Sequence, residues 1–203
     1  KKFSRYAELQ QKTNELAQQR RAVGEQFFSI SARMKDNHIT PGLQQAASSG
    51  NSAQLQKWQK IQESLSDDIV ANFLNLRIAA IYYIMKKTPE QWDNFQKAVA
   101  TLNNGLDSSF QLAAGNAALT EALSAIQAGI QKYQETGRRF QEVFSEQKSI
   151  NKELLTAASS VQNVLDRARD VQKTKMQDQI SSANTIIMLG AGIALLLGIA
   201  IAA

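Results

Sequence analysis

At the front of the chain, hydrophobic positions recur at alternating spacings of four and three: Leu9, Thr13, Leu16, Arg20, Val23, Phe27, Ile30 and Met34. This is the seam of a helix that buries one stripe, here over residues 2–35, with Thr13 and Arg20 as polar interruptions. The pattern lapses from Lys35 to Asn51, where Thr40-Pro41-Gly42 and Ser48-Ser49-Gly50-Asn51 predict a long loop over 36–52. Ser52 is placed to cap a second helix, 53–86. That helix begins amphipathic (Leu55, Trp58, Ile61, Leu65) and from Ile69 to Met85 is apolar nearly all round, with Arg77 its single charge. Such a helix is expected inside a bundle rather than on its surface.

Thr88-Pro89-Glu90-Gln91 is a start signal, with an N-cap threonine, proline in the first turn and glutamine three residues after the cap. The third helix, 89–113, carries Trp92, Phe95, Val99, Leu102, Leu106 and Phe110 on one face, and Ala114-Gly115-Asn116 ends it. The fourth runs from 116 to 184 without a proline and would extend roughly 100 Å at about 1.5 Å per residue. From Thr185 to Ala203 no charge, amide or aromatic ring remains. That is about the length needed to cross a hydrocarbon core of roughly 30 Å, and in lipid such a run must be helical to satisfy its backbone. Gly190, Ala194, Gly198 and Ala202 recur every fourth residue and would let a second helix approach closely. The expected architecture is all-α: a long antiparallel bundle whose last helix continues into a transmembrane helix over 185–203, truncated at the end of the sequence. Short turns make the last three soluble helices antiparallel neighbours.

Shifting the chain against itself by 127 positions aligns Tyr6 with Tyr133, Glu8 with Glu135, Leu16 with Val143, Arg21 with Lys148 and Phe28 with Leu155. On that reading residues 1–35 are the tail of one bundle module and 53–184 form a second, complete one. The seam is already running at Lys1, so further residues are expected before it, including a first membrane helix.

Composition narrows the functional classes. The 203 residues include ten glycines and two prolines, carry a net charge of +5 and contain no cysteine and one histidine. The basic residues are scattered among acids without interleaved aromatics, so no nucleic-acid surface is expected. His38 lies alone in the expected loop and cannot build a zinc site or a catalytic triad. With no phosphate loop and no nucleophile–base pair, no enzyme activity and no cofactor are expected.

Arg77 is the first candidate binding residue, centred in the stripe Val70, Leu74, Arg77, Ile81 and Ile84. A buried guanidinium needs an anionic partner, which a ligand carboxylate could supply bidentately. An internal salt bridge or a snorkelling side chain would also serve. Arg138 and Arg139 could face the same pocket or lie on the surface, and Arg20 could serve a site in the other module. Tyr82, Tyr83 and Tyr133 could hold a carboxylate or simply pack. Asp67-Asp68 could hold a cation or stand exposed.

Three stretches carry a family resemblance: NLRIAAIYYIMKKTPEQWDNFQKAVATLNNGL, IQKYQETGRRFQEVFSEQKSI and MQDQISSANTIIMLGAGIALLLGIAIAA. Over about residues 70–203 the chain resembles the helical bimodular sensor domain of bacterial methyl-accepting chemotaxis receptors, and 1–35 resembles the tail of that family's first module. The resemblance implies a homodimeric receptor of the bacterial inner membrane with its soluble part in the periplasm. It would bind a small organic acid, or in some relatives an amine, between helices and pass a helix shift across the membrane. Members often carry an Arg-x-x-Arg pair on the helix that here holds Arg77, but the second position is Ala80. A histidine-kinase sensor would share the same extracellular pattern. A tail-anchored or pore-forming helical protein would share the apolar end.

Overall fold

The computed structural model describes residues 2–202, and side chains from 3 to 194. The protein is all-α, with no strand among the described residues. The elements are α1 (Lys2–Met34), a π-helical turn (Lys35–Ile39), α2 (Thr40–Ser48), α3 (Ser52–Glu63), a second π-helical segment (Ser64–Ala71), α4 (Asn72–Lys86), α5 (Pro89–Leu112) and α6 (Ala117–Ala202). The chain divides into two compact units, Lys1–Lys148 and Ser149–Ala203.

The first unit is a bundle with one core. Phe27, Ile30 and Met34 of α1 share it with Ile61, Leu65, Ile69, Phe73 and Leu76 from the second long helical stretch, Phe95 to Leu106 of α5, and Leu119 to Tyr133 of α6. From residues 1–35, Phe27, Ile30 and Met34 share this core, which extends as far as Tyr133. The seam of α1 is seen as expected: Leu9, Leu16, Phe27, Ile30 and Met34 are buried, and Thr13, Arg20 and Val23 are half-buried. At the centre Phe73 stacks on Phe27 with ring centroids 3.7 Å apart and meets Tyr133 edge-on at 5.3 Å.

The loop expected over 36–52 is helical as far as Ser48, and only Ser49 to Asn51 turn. Two features explain the difference. Pro41 falls in the first turn of α2, where its missing N–H would have no partner anyway. The π-helical turn hands the chain over, with the Thr40 N–H donating to the Lys35 carbonyl five residues back. Gly42 is a packing residue, because a β-carbon there would collide with the Trp58 ring. The cap of α3 is Asn51, one residue before the expected Ser52, and its Oδ1 accepts from the Gln54 N–H at 3.0 Å.

The second π-helical segment has its own stitching. The Asp68 carbonyl accepts from Asn72 Nδ2 at 2.8 Å, and Ser64 Oγ donates to Asp68 Oδ2 at 2.9 Å. Across the interface, a β-carbon on Gly105 of α5 would sit 2.6 Å from the Asp68 carbonyl oxygen, so only glycine permits this approach. Lys87 ends α4 in the left-handed region at φ 53°, donating to the Tyr83 carbonyl at 2.7 Å and placing Nζ 4.3 Å from the Phe144 ring centre. Thr88 then caps α5 as expected, with Oγ1 accepting from the Gln91 N–H. A two-residue connection, Lys87 and Thr88, turns α5 back antiparallel to α4.

The second unit, taken by itself, is the remainder of α6. From Leu155 to Ile193 its large apolar side chains are all more than half exposed, from Ile180 at 54% to Met188 at 76%. The membrane segment expected over 185–203 lies partly outside the described side chains, as do Gly198 and Ala202 of the small-residue stripe. Among the described residues one helical stretch, Ser52–Lys86, is long and apolar enough to cross a membrane by length and composition. Its part from Ile69 to Met85 was expected inside the bundle. Instead its inner face fills the bundle core, while Leu74, Ile78, Ile81, Tyr82 and Met85 are 43–73% exposed.

Candidate functional site

Three helices of the first unit bring together Arg20 of α1, Arg77 of α4 and Tyr133 of α6. Arg20 enters the bundle because the α1 seam carries it inward one turn after Leu16. Its Cζ lies 5.7 Å from the Phe140 ring centre, and its Nη1 is buried with no hydrogen-bond partner. Arg77 crosses onto α1 where Gly24 leaves room: its Cζ is 3.8 Å from where a β-carbon on Gly24 would stand, and 5.6 Å from the Phe28 ring centre. Neither guanidinium forms an ion pair with a described carboxylate, so the internal salt bridge considered for Arg77 is not formed.

Tyr133 is 2% exposed. Burial pushes its phenol above the ordinary tyrosine range, and the positive charges of Arg20 and Arg77 oppose that rise. The hydroxyl therefore stays protonated at neutral pH and can donate to an anion. Arg20, Ala80, Tyr83, Ile84, Phe95, Tyr133, Gly137 and Phe140 enclose a cavity of about 10 Å³. That is room for about one water molecule, far below the roughly 300 Å³ at which small-molecule sites begin. Ala80 lines it at the position where the resemblance implies a second arginine.

The other expected site residues lie elsewhere. Arg138 and Arg139 are exposed, not in the cavity. Arg138 donates to Glu135 at 2.8 and 2.9 Å and pairs with Glu142, while Arg139 donates to Glu135 at 3.0 Å. These two arginines hold the Glu135 carboxyl down at about 2. The helix places them so because Thr136, Gly137 and Phe140 take its buried face. Tyr82 is 48% exposed with Lys86 Nζ 5.7 Å from its ring centre, while its neighbour Tyr83 faces the cavity. Asp67 and Asp68 accept from Ser66 and Ser64 respectively.

Gly24 and Ser31 were not singled out from the sequence. Ser31 is four residues after Phe27 and three before Met34, so the α1 seam itself places this hydroxyl inside. Compared with protein-family models, with curated proteins and with solved structures, the chain matches none.

Proposed function

We propose that this chain is the extracytoplasmic sensor part of a bacterial membrane receptor of the methyl-accepting chemotaxis type, taking a small organic acid between its helices. The observation that carries this reading is the pair of guanidinium groups, Arg20 and Arg77, drawn into one bundle beside the Tyr133 hydroxyl without a protein carboxylate to neutralise them. Both arginines are half-buried, and a guanidinium drawn partly out of water without an anionic partner is costly; a carboxylate from solution offsets that cost through charge-assisted hydrogen bonds. The water-sized cavity gives the mechanism. An acid gains room only if helices part, so binding and helix displacement become one event. A ligand shifts such an equilibrium by its difference in affinity for the closed and parted arrangements.

The exposed apolar residues of the second unit support pairing with a second copy. Val161, Val164, Ala168 and Val171 repeat at three and four, the spacing of a coiled-coil seam. The receptor would thus be a homodimer, with the soluble part periplasmic and the apolar end of α6 in the inner membrane.

Thermal denaturation of the full chain with acetate, succinate, citrate and putrescine tests the reading. A carboxylate is expected to raise the melting temperature, and Arg77→Ala to abolish the rise. If no acid raises it, or if Arg77→Ala leaves the rise intact, the reading fails.

A further inference from the structure

The first unit contains a second and larger space, away from Arg20. A cavity of about 430 Å³ is lined from α1 by Phe28, Ser31 and Ala32, from the π-helical turn by Lys35, and from the facing stretch by Gln62, Leu65, Ser66 and Val70. Its volume falls within the range of small-molecule sites. Two independent features mark it as a site rather than a packing gap. The Ser31 hydroxyl is buried, 4% exposed for the residue, and has no hydrogen-bond partner. Helical serines commonly bond back to a carbonyl of the preceding turn; Ser31 does not. Both walls also meet where the α-helical register is interrupted. Lys35 opens the first π-helical turn, and Leu65, Ser66 and Val70 belong to the second. Such insertions swing side chains off the regular helical face and concentrate at functional sites.

We infer that this cavity binds a small monocarboxylate with an aromatic or branched apolar body. Phe28, Ala32, Leu65 and Val70 supply an apolar wall. Ser31 of α1 and Lys35, the first residue of the π-helical turn, line the same cavity, a buried hydroxyl with a cation beside it. No carboxylate lines the cavity, and Lys35 is its only charged lining residue, so the polar end of the ligand is an anion rather than an amine. Gln62 and Ser66 face it from the other wall. The site does not depend on the receptor reading, and Arg20 takes no part in it.

The test is isothermal titration of phenylacetate into the full chain in detergent, with empty micelles as the blank. Saturable binding is expected, with phenylacetamide about tenfold weaker because it cannot accept a charge-assisted bond from Lys35. Ala32→Trp, at an exposed position, should fill the cavity and abolish binding. Ser31→Ala should weaken binding several-fold while raising the melting temperature of the unliganded chain. Arg20→Met should leave phenylacetate binding intact even if it abolishes the response to other acids. Absence of saturable binding at millimolar phenylacetate, binding unchanged by Ala32→Trp, or equal binding of the neutral amide would overturn the assignment.

Discussion

The guanidinium of Arg20 lies over the ring of Phe140, Cζ 5.7 Å from its centre, with Nη1 buried and unpaired. The ring contact favours the charge by about 0.5–2 kcal/mol, while leaving a buried donor unbonded costs about 1–3 kcal/mol. Without ligand the balance runs against the arginine. Arg20→Met, which keeps much of the volume, should therefore raise unliganded stability by about 1 kcal/mol in urea denaturation. The same substitution should remove the response to organic acids. Loss of stability would mean that Arg20 has a partner within the protein.

Glycine positions offer a graded test of packing. Gly105→Ala places a β-carbon 2.6 Å from the Asp68 carbonyl oxygen, a backbone atom that cannot swing aside, and should cost about 1–3 kcal/mol. Gly129→Ala meets nothing within 4 Å and should gain about 0.5–1 kcal/mol from helix propensity alone. Chemical denaturation of the two variants should move in opposite directions.

Phe73 is fully buried between Phe27 and Tyr133. Phe73→Ala should destabilise the first unit by about 3–5 kcal/mol, the range for truncating a core aromatic. Phe73→Leu should cost clearly less. Equal costs would show that the lost ring contacts, rather than the lost volume, set the penalty.

The pH dependence has two opposite ends. Burial raises the Tyr133 pKa, so its contribution is complete below the ordinary tyrosine value of 10.0 and is lost as pH climbs through the raised folded value. Tyr133→Phe should flatten the alkaline fall in melting temperature. The Glu135 pKa is lowered to about 2, so its contribution is present above 4.5 and is lost as pH falls toward 2. Glu135 is exposed, so Glu135→Gln should change the acid limb only slightly.

Much of the bundle was legible because one-sided helices advertise their buried stripe. The α1 seam and the α5 face both entered the core as read, and Thr88 capped α5. Pro41-Gly42 misled because the same dipeptide breaks a chain in solution but fits a helix start when Trp58 covers the glycine. The all-apolar stretch from Ile69 to Met85 misled in the other direction: hydrophobicity says what a side chain avoids, not whether this chain supplies the cover, and Ile78 and Met85 stand exposed. Arg20 and Arg77 were legible as charges within apolar stripes. Their convergence on Tyr133 was not, because it depends on how three helices cross. Arg138 and Arg139 could not be placed from spacing, since a shift of one residue along a helix turns a side chain by about 100°.

Parting of the helices around the Arg20 cavity can be measured as a distance. The chain has no native cysteine, so spin labels on cysteines at the exposed positions Tyr82 and Arg138 report the α4–α6 separation by pulsed electron resonance. Adding an acid that raises the melting temperature should lengthen that separation by about 1–2 Å, a typical helix shift, and Arg20→Met should abolish the change. A distance unmoved by every such acid, or one that moves equally in Arg20→Met, would contradict a sensor that opens to bind.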